Sequence, residues 1–282
     1  MLTHRLAVPF AMVAAGVCLA VVIALGGTVR PTTEVGKPAS LSAGELRKKA
    51  VDFAGGSEAL SKVHTFSYDF VSGTDPKAMM VHHHAYDADK QLYRYACTLD
   101  TFAKTNFWKG DHWTTDPNVP KGKELVAIYH YPRLEGTVYI DGKPLSGDEN
   151  MRLLRRVNDS VENDRYFAFL PLIVNNPSIH ADLAPPVKDE KYGELHGFTA
   201  WSGRDKATNR TLWTLYLTPK GEFVRTDIVV LNGKGPVVVY WEKWGRFGPV
   251  KIAQEHMIPK MRRGFRHEHI KINEPVVIEP PK

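Results

Sequence analysis

Apolar and polar residues alternate with period two through most of the stretch 210–256. Leu212, Thr214, Tyr216 and Thr218 alternate with Trp213, Leu215 and Leu217. Phe223, Arg225, Asp227 and Val229 alternate with Val224, Thr226, Ile228 and Val230. Pro219-Lys220-Gly221, Asn232-Gly233 and Gly248-Pro249 punctuate the runs, and 237–244 is β-branched and aromatic. Two-residue periodicity between turn residues predicts an antiparallel meander. The segment 192–201 opens it and 266–273 alternates as a last strand. Earlier strands are predicted at 65–70, 78–86 and 91–99, with hairpins around Lys109-Gly110-Asp111 and Asp141-Gly142. The segment 125–131 fits a strand or a short helical turn, and the polar, Pro-containing segment 178–191 predicts a loop.

A large antiparallel sheet with one apolar face must be covered on that face. Ser42 and Glu45 form a capping-box pair that starts a helix with the stripe Leu46, Ala50, Phe53, Ala54, ended by Gly55-Gly56. A short second helix starts at Ser57 and carries Leu60 and Val63. Met151, Leu154 and Val157 have helical spacing over 148–158, and the apolar run 166–174 follows, interrupted by Pro171. That run is the predicted cover. Phe167, Phe169, Leu170, Leu172 and Ile173, with Trp241 from the sheet, are the candidate contacts for an apolar ligand. The same residues read equally well as plain core.

After His4 and Arg5, residues 6–25 are continuously apolar and end at Gly26-Gly27. The run exceeds the ~7–15 residues of a signal core and reaches the ~20 that span a bilayer. Ala24-Leu25-Gly26 offers a small-x-small cleavage site. Residues 1–27 therefore read as an export signal or an inner-membrane anchor, 28–40 as an extended tether, and 41–282 as the folded domain. Either reading places the domain outside the cytoplasm, in the periplasm or cell envelope.

The 282 residues are 43% hydrophobic and 24% charged, with a formal charge of +6. This is a globular composition with a mild basic excess. No Lys/Arg block, zinc finger or RNA-binding motif accompanies it, so no nucleic-acid partner is expected. Cys18 lies in the apolar N-terminal run, which leaves Cys97 without a partner and excludes a disulfide framework. Cys97 reads as a small buried strand residue.

Two His-x-His pairs, His82/His84 and His267/His269, are candidate metal ligands. Residues two apart on a strand share a face, and two facing pairs would make a four-ligand zinc site. The alternative places these histidines on solvent faces or at hydrogen-bonded sheet edges. No Gly-x-Ser-x-Gly or His-Glu-x-x-His motif is present, so no catalytic residue and no cofactor are predicted. A metal-binding envelope protein or hydrolase built on the His-x-His strands, and a structural domain without ligand, are the competing readings.

The order of parts resembles the LolA/LolB-like superfamily of exported lipoprotein carriers, and more narrowly a bacterial branch known as a domain of unknown function. Three features carry the resemblance: the N-terminal helix ending in Gly55-Gly56 before Phe66–Phe70; the segment Arg165-Tyr166-Phe167-Ala168-Phe169-Leu170-Pro171; and the phrase Leu215-Tyr216-Leu217-Thr218-Pro219-Lys220-Gly221, followed by 224–230 and 240–254. The resemblance implies an α+β, mainly β fold, a curved antiparallel half-barrel with helices plugging its concave face. It implies a non-enzymatic module that binds a lipid or a lipoprotein acyl chain.

Overall fold

The computed structural model describes residues 41–73, 79–105, 121–202, 211–230, 236–261 and 263–281. The predicted signal or anchor, the tether, the hairpin at Lys109-Gly110-Asp111 and the Asn232-Gly233 turn lie outside them. Among the described residues no helix is long and apolar enough to cross a membrane.

Helix α1 (Ala43–Ala54) forms for the reason its sequence suggests. The Ser42 hydroxyl accepts from the Glu45 amide at 3.2 Å, and the Glu45 carboxylate accepts from the Ser42 amide at 2.7 Å. Two otherwise unpaired donors are thereby satisfied. Gly55, at φ 134°, ends the helix, and Leu46, Ala50, Val51 and Ala54 are its buried side.

Thirteen strands follow: β1 (Thr65–Ser72), β2 (Met80–Asp87), β3 (Leu92–Thr98), β4 (Glu124–His130), β5 (Glu135–Ile140), β6 (Lys143–Pro144), β7 (Ile179–Asp189), β8 (Gly193–Ser202), β9 (Thr211–Leu217), β10 (Phe223–Val230), β11 (Val237–Phe247), β12 (Val250–Ile258) and β13 (Arg263–Ile272). They form one antiparallel sheet in the order β6-β5-β4-β3-β2-β1-β13-β12-β11-β10-β9-β8-β7, open at β6 and β7. Two meanders meet where β1 pairs with β13, with Phe66 opposite Ile272 and Phe70 opposite His267.

The ambiguous segment 125–131 is strand β4, fully paired with β3 and β5. The segment expected to be a loop at 178–191 is instead β7. Its Pro185-Pro186 is tolerated because β7 is an edge strand and its register shifts between Ala184 and Val187. A short helix not expected from the sequence, α2 (Leu99–Thr105), follows β3.

The two helical signals in the middle of the chain are one helix, α3 (Gly147–Ile173), 27 residues long. Pro171 falls in its last turn, so it removes one hydrogen bond without breaking the helix, and the Val174 amide still reaches the Leu170 carbonyl at 3.1 Å. Phe167 of α3 shows that the sheet bends. Its ring lies 6.4 Å from Phe70 on β1 and 5.7 Å from Trp213 on β9. Those rings are thus at most about 12 Å apart, whereas a flat sheet at ~4.8 Å per strand would hold β1 and β9 about 24 Å apart. The sheet curls around this end of α3, and a single apolar core fills the fold between α1, α3 and the sheet.

Candidate functional site

The fold carries two distinct features. The first is an open pocket of about 440 Å³, within the range of small-molecule sites. Phe53 of α1, Tyr192 of the β7–β8 turn, Phe223 of β10, and Trp241 and Trp244 of β11 give it aromatic walls. Phe53 meets Trp244 edge-on at 5.0 Å, and Trp241 stacks on Trp244 at 6.0 Å. The indole N–H groups of Trp241 and Trp244 are buried without an acceptor.

Charged residues line the same pocket. Lys191 pairs with Glu242 at 2.5 Å and Lys243 with Glu255 at 2.5 Å. Lys251 sits over the Phe53 ring at 4.5 Å and has no carboxylate partner among the described residues. Asp189 fixes the turn that bears Lys191 and Tyr192. Its Oδ1 accepts from their backbone amides at 2.9 and 3.0 Å; its Oδ2 accepts from Arg225 at 2.9 Å and Tyr240 at 2.8 Å. Burial pushes the Asp189 carboxyl up, but these four donors outweigh it and hold it below its ordinary value.

Of the six candidate ligand contacts, only Trp241 lines this pocket. Phe167, Phe169, Leu170 and Leu172 are buried in the core under α3, and Ile173 packs against it half-buried. Phe169 meets Phe66 and Tyr68, and Phe167 meets Phe265, Trp213 and Trp241. The pocket's lysines were not legible as site residues, because Lys191 and Lys251 come together only when β7 and β12 are both placed beside α1.

The second feature is a buried polar cluster between α3 and β1, β2, β12 and β13. His82 and His84 share one face of β2, as their spacing predicts; that face is the inner one, and both are 2% exposed. His267 also points inward, at 3% exposure. His269 does not share its face. The β1–β13 register shifts between Ser67 and Asp69, His269 takes φ 51°, and its imidazole lies outside at 2.7 Å from Asp69. The expected pairing of two His-x-His faces fails at this bulge.

In its place the structure supplies Asp164 of α3, 1% exposed. Its Oδ2 is 2.7 Å from His82 Nδ1 and 3.2 Å from His84 Nε2. Burial pushes this carboxyl up, and the two imidazoles more than reverse that, holding it far below its ordinary value. Burial lowers His84 and His256, and lowers His267 to about 4. His267 Nδ1 donates to the Ala253 carbonyl at 3.1 Å. Asp164 escaped the sequence reading, although Val157, Val161, Asp164 and Ala168 follow one helical stripe and a carboxylate in an apolar stripe is itself a signal.

Fold and sites together define an open, curled antiparallel sheet crossed by one long helix, with an aromatic pocket at one end and a buried imidazole–carboxylate cluster beneath the helix. No protein-family model and no curated protein matches the sequence. Solved structures similar to it include a DUF1329 family protein from Desulfovibrio piger, with a TM-score of 0.45, 9% identity, and coverage of 84% of this chain and 96% of that one. A LolA superfamily protein from Nitrosomonas europaea follows, with a TM-score of 0.42, 8% identity and coverage of 84% and 96%. A Vibrio parahaemolyticus domain titled as an outer membrane lipoprotein-sorting protein has a TM-score of 0.38, 8% identity and coverage of 78% and 91%.

Proposed function

We propose that residues 41–282 are a non-enzymatic binding module of the cell envelope for an amphiphile with an apolar body and an anionic head, a lipid or a lipoprotein acyl chain. The observation that carries this is the pocket of about 440 Å³ with aromatic walls and Lys251 at its edge. Each ~40 Å² of acyl chain buried there at ~25 cal/mol per Å² gains about 1 kcal/mol before the cost of association. Lys251 then meets the polar end. Trp241 is the contact shared with the core. Behind it Phe167, 6.2 Å away, begins the packed core that holds Phe169, Leu170 and Leu172. The N-terminal segment 1–27 delivers the module to the envelope or holds it at the membrane.

Oleate titrated into the purified protein tests this through tryptophan fluorescence. Saturable binding is expected, weakened by about tenfold or more, roughly 1.4 kcal/mol, in Trp244→Ala. Lys251→Glu, a rim change that leaves the core intact, should weaken oleate more than an uncharged monoacylglycerol. Absence of saturable binding, or wild-type oleate affinity in both variants, overturns the reading.

A further inference from the structure

We propose that His82, His84 and Asp164 form a binding site for a divalent transition-metal ion beneath α3, with a donor set suited to zinc. The site is separate from the pocket and does not depend on it. One ligating atom from each of the three residues lies within 4.8 Å of the other two, and all three side chains are buried. The set is two imidazole nitrogens and one carboxylate oxygen, the composition of zinc sites that keep a fourth position for water.

The distances suit an ion. Zinc bonds of ~2.0–2.2 Å in tetrahedral geometry place neighbouring donors roughly 3.3–3.5 Å apart. The two contacts at Asp164 Oδ2 are 2.7 and 3.2 Å. Shifts of a few tenths of an ångström, up to about 0.8 Å, open them to that spacing, which is within the reach of side-chain torsions. Two imidazole nitrogens converging on one carboxylate oxygen need a proton or a cation in each contact. A single ion satisfies both.

Two of the three ligands have outer partners, while the Nε2 of His82 is buried with none. His84 Nδ1 lies 2.9 Å from the Tyr93 hydroxyl, so its far nitrogen is oriented by an outer partner. Asp164 Oδ1 is held by Asn163 Nδ2 at 3.1 Å, which leaves Oδ2 for the imidazoles. The neighbouring Arg165 is engaged with Tyr131 and Glu162.

A second, independent observation points to an exogenous group. The hydroxyls of Tyr68 and Tyr95 are buried without a well-formed hydrogen bond, with only loose approaches to Tyr93 and to Ser160 and Cys97. Their rings flank the cluster, Tyr68 at 4.6 Å from His84 and Tyr95 at 5.3 Å from His82. A water on the ion's fourth position would give these phenols the partner they lack. His267, whose Nε2 is also buried without a partner, stands outside the three-residue set and is the residue nearest in type.

The surface offers a decoy that the test must separate. His83 and His269 each place Nδ1 on one oxygen of Asp69, at 2.6 and 2.7 Å, on the outer face. The full-length protein, stripped with a chelator and titrated with Co²⁺, reads the coordination directly. The expected result is one equivalent bound, with the intense visible bands of four-coordinate cobalt, displaced by Zn²⁺. Asp164→Asn and His84→Gln should each lose those bands. Tyr93→Phe, which keeps the core packed, should keep the bands but weaken the ion about tenfold or more. The double variant His83→Ala/His269→Ala should bind as the wild type does. Absence of stoichiometric four-coordinate cobalt in the wild type overturns the proposal and leaves a proton-linked His–Asp–His network. Loss of binding in the surface double variant, with Tyr93→Phe unchanged, overturns it in favour of the outer cluster.

Discussion

Arg225 holds two carboxylates at once, and replacing it by Met isolates what they cost. Its Nη1 donates to Asp189 at 2.9 Å; its Nε and Nη2 donate to the two oxygens of Asp227 at 2.7 and 2.9 Å. The Arg225, Asp227 and Asp189 side chains are 14%, 13% and 0% exposed. Met fills the volume of the aliphatic stem but leaves Asp189 with no cation. Breaking one side of a buried ion pair costs about 3–5 kcal/mol. The partial exposure of Asp227 puts Arg225→Met at the lower end, near 3 kcal/mol. With a urea slope of ~3 kcal/mol per M for a domain of this size, the unfolding midpoint should fall by about 1 M. The effect must also depend on pH. In the wild type the Asp189 carboxyl is held below its ordinary value, so its contribution is complete above the unfolded carboxylate range of ~4 and is lost as pH falls through the lowered value. In the variant the Tyr240 hydroxyl and the two backbone amides still donate, but the carboxyl lies higher than in the wild type for want of the guanidinium, so the penalty is greatest at neutral pH and fades on acidification. Urea unfolding of both proteins at about pH 7 and about pH 4 should therefore show the gap narrowing. The same carboxylate anchors Lys191 and Tyr192, so oleate affinity should fall with stability. A midpoint unchanged at neutral pH, or a gap that stays constant on acidification, refutes the reasoning.

Two further outcomes follow from packing. Phe169→Ala empties a position that is 2% exposed and touches Phe66 and Tyr68; it should cost about 3–5 kcal/mol in chemical unfolding, with no change in the denaturant slope. Gly55→Ala should destabilise by about 1–3 kcal/mol, because a Cβ there would lie 2.4 Å from the Pro249 carbonyl oxygen in a backbone at φ 134°. An alanine variant at Gly55 with wild-type thermal stability would contradict the packing of α1 against the β11–β12 turn.

The elements that were legible in the sequence are those set by local physics. The capping box at Ser42 and Glu45, the shared face of His82 and His84, and strands β9 to β12 follow from hydrogen-bond valence and the two-residue period of a strand. Local pattern fails where the neighbour decides. Edge strand β7 looks like a loop because its prolines are incompatible with a central strand, and only its place at the sheet margin makes them harmless. His269 leaves the face of His267 because of a bulge against β1, roughly two hundred residues earlier in the chain. Asp164, 80 residues beyond His84, becomes a partner of β2 only because α3 crosses the curled sheet. The sequence by itself determines a large antiparallel sheet with an apolar face and a helix to cover it, since burial periodicity is written residue by residue. Which side chains converge on the pocket and on the buried cluster is decided by the bend of that sheet, a sum over many strands that no single segment encodes.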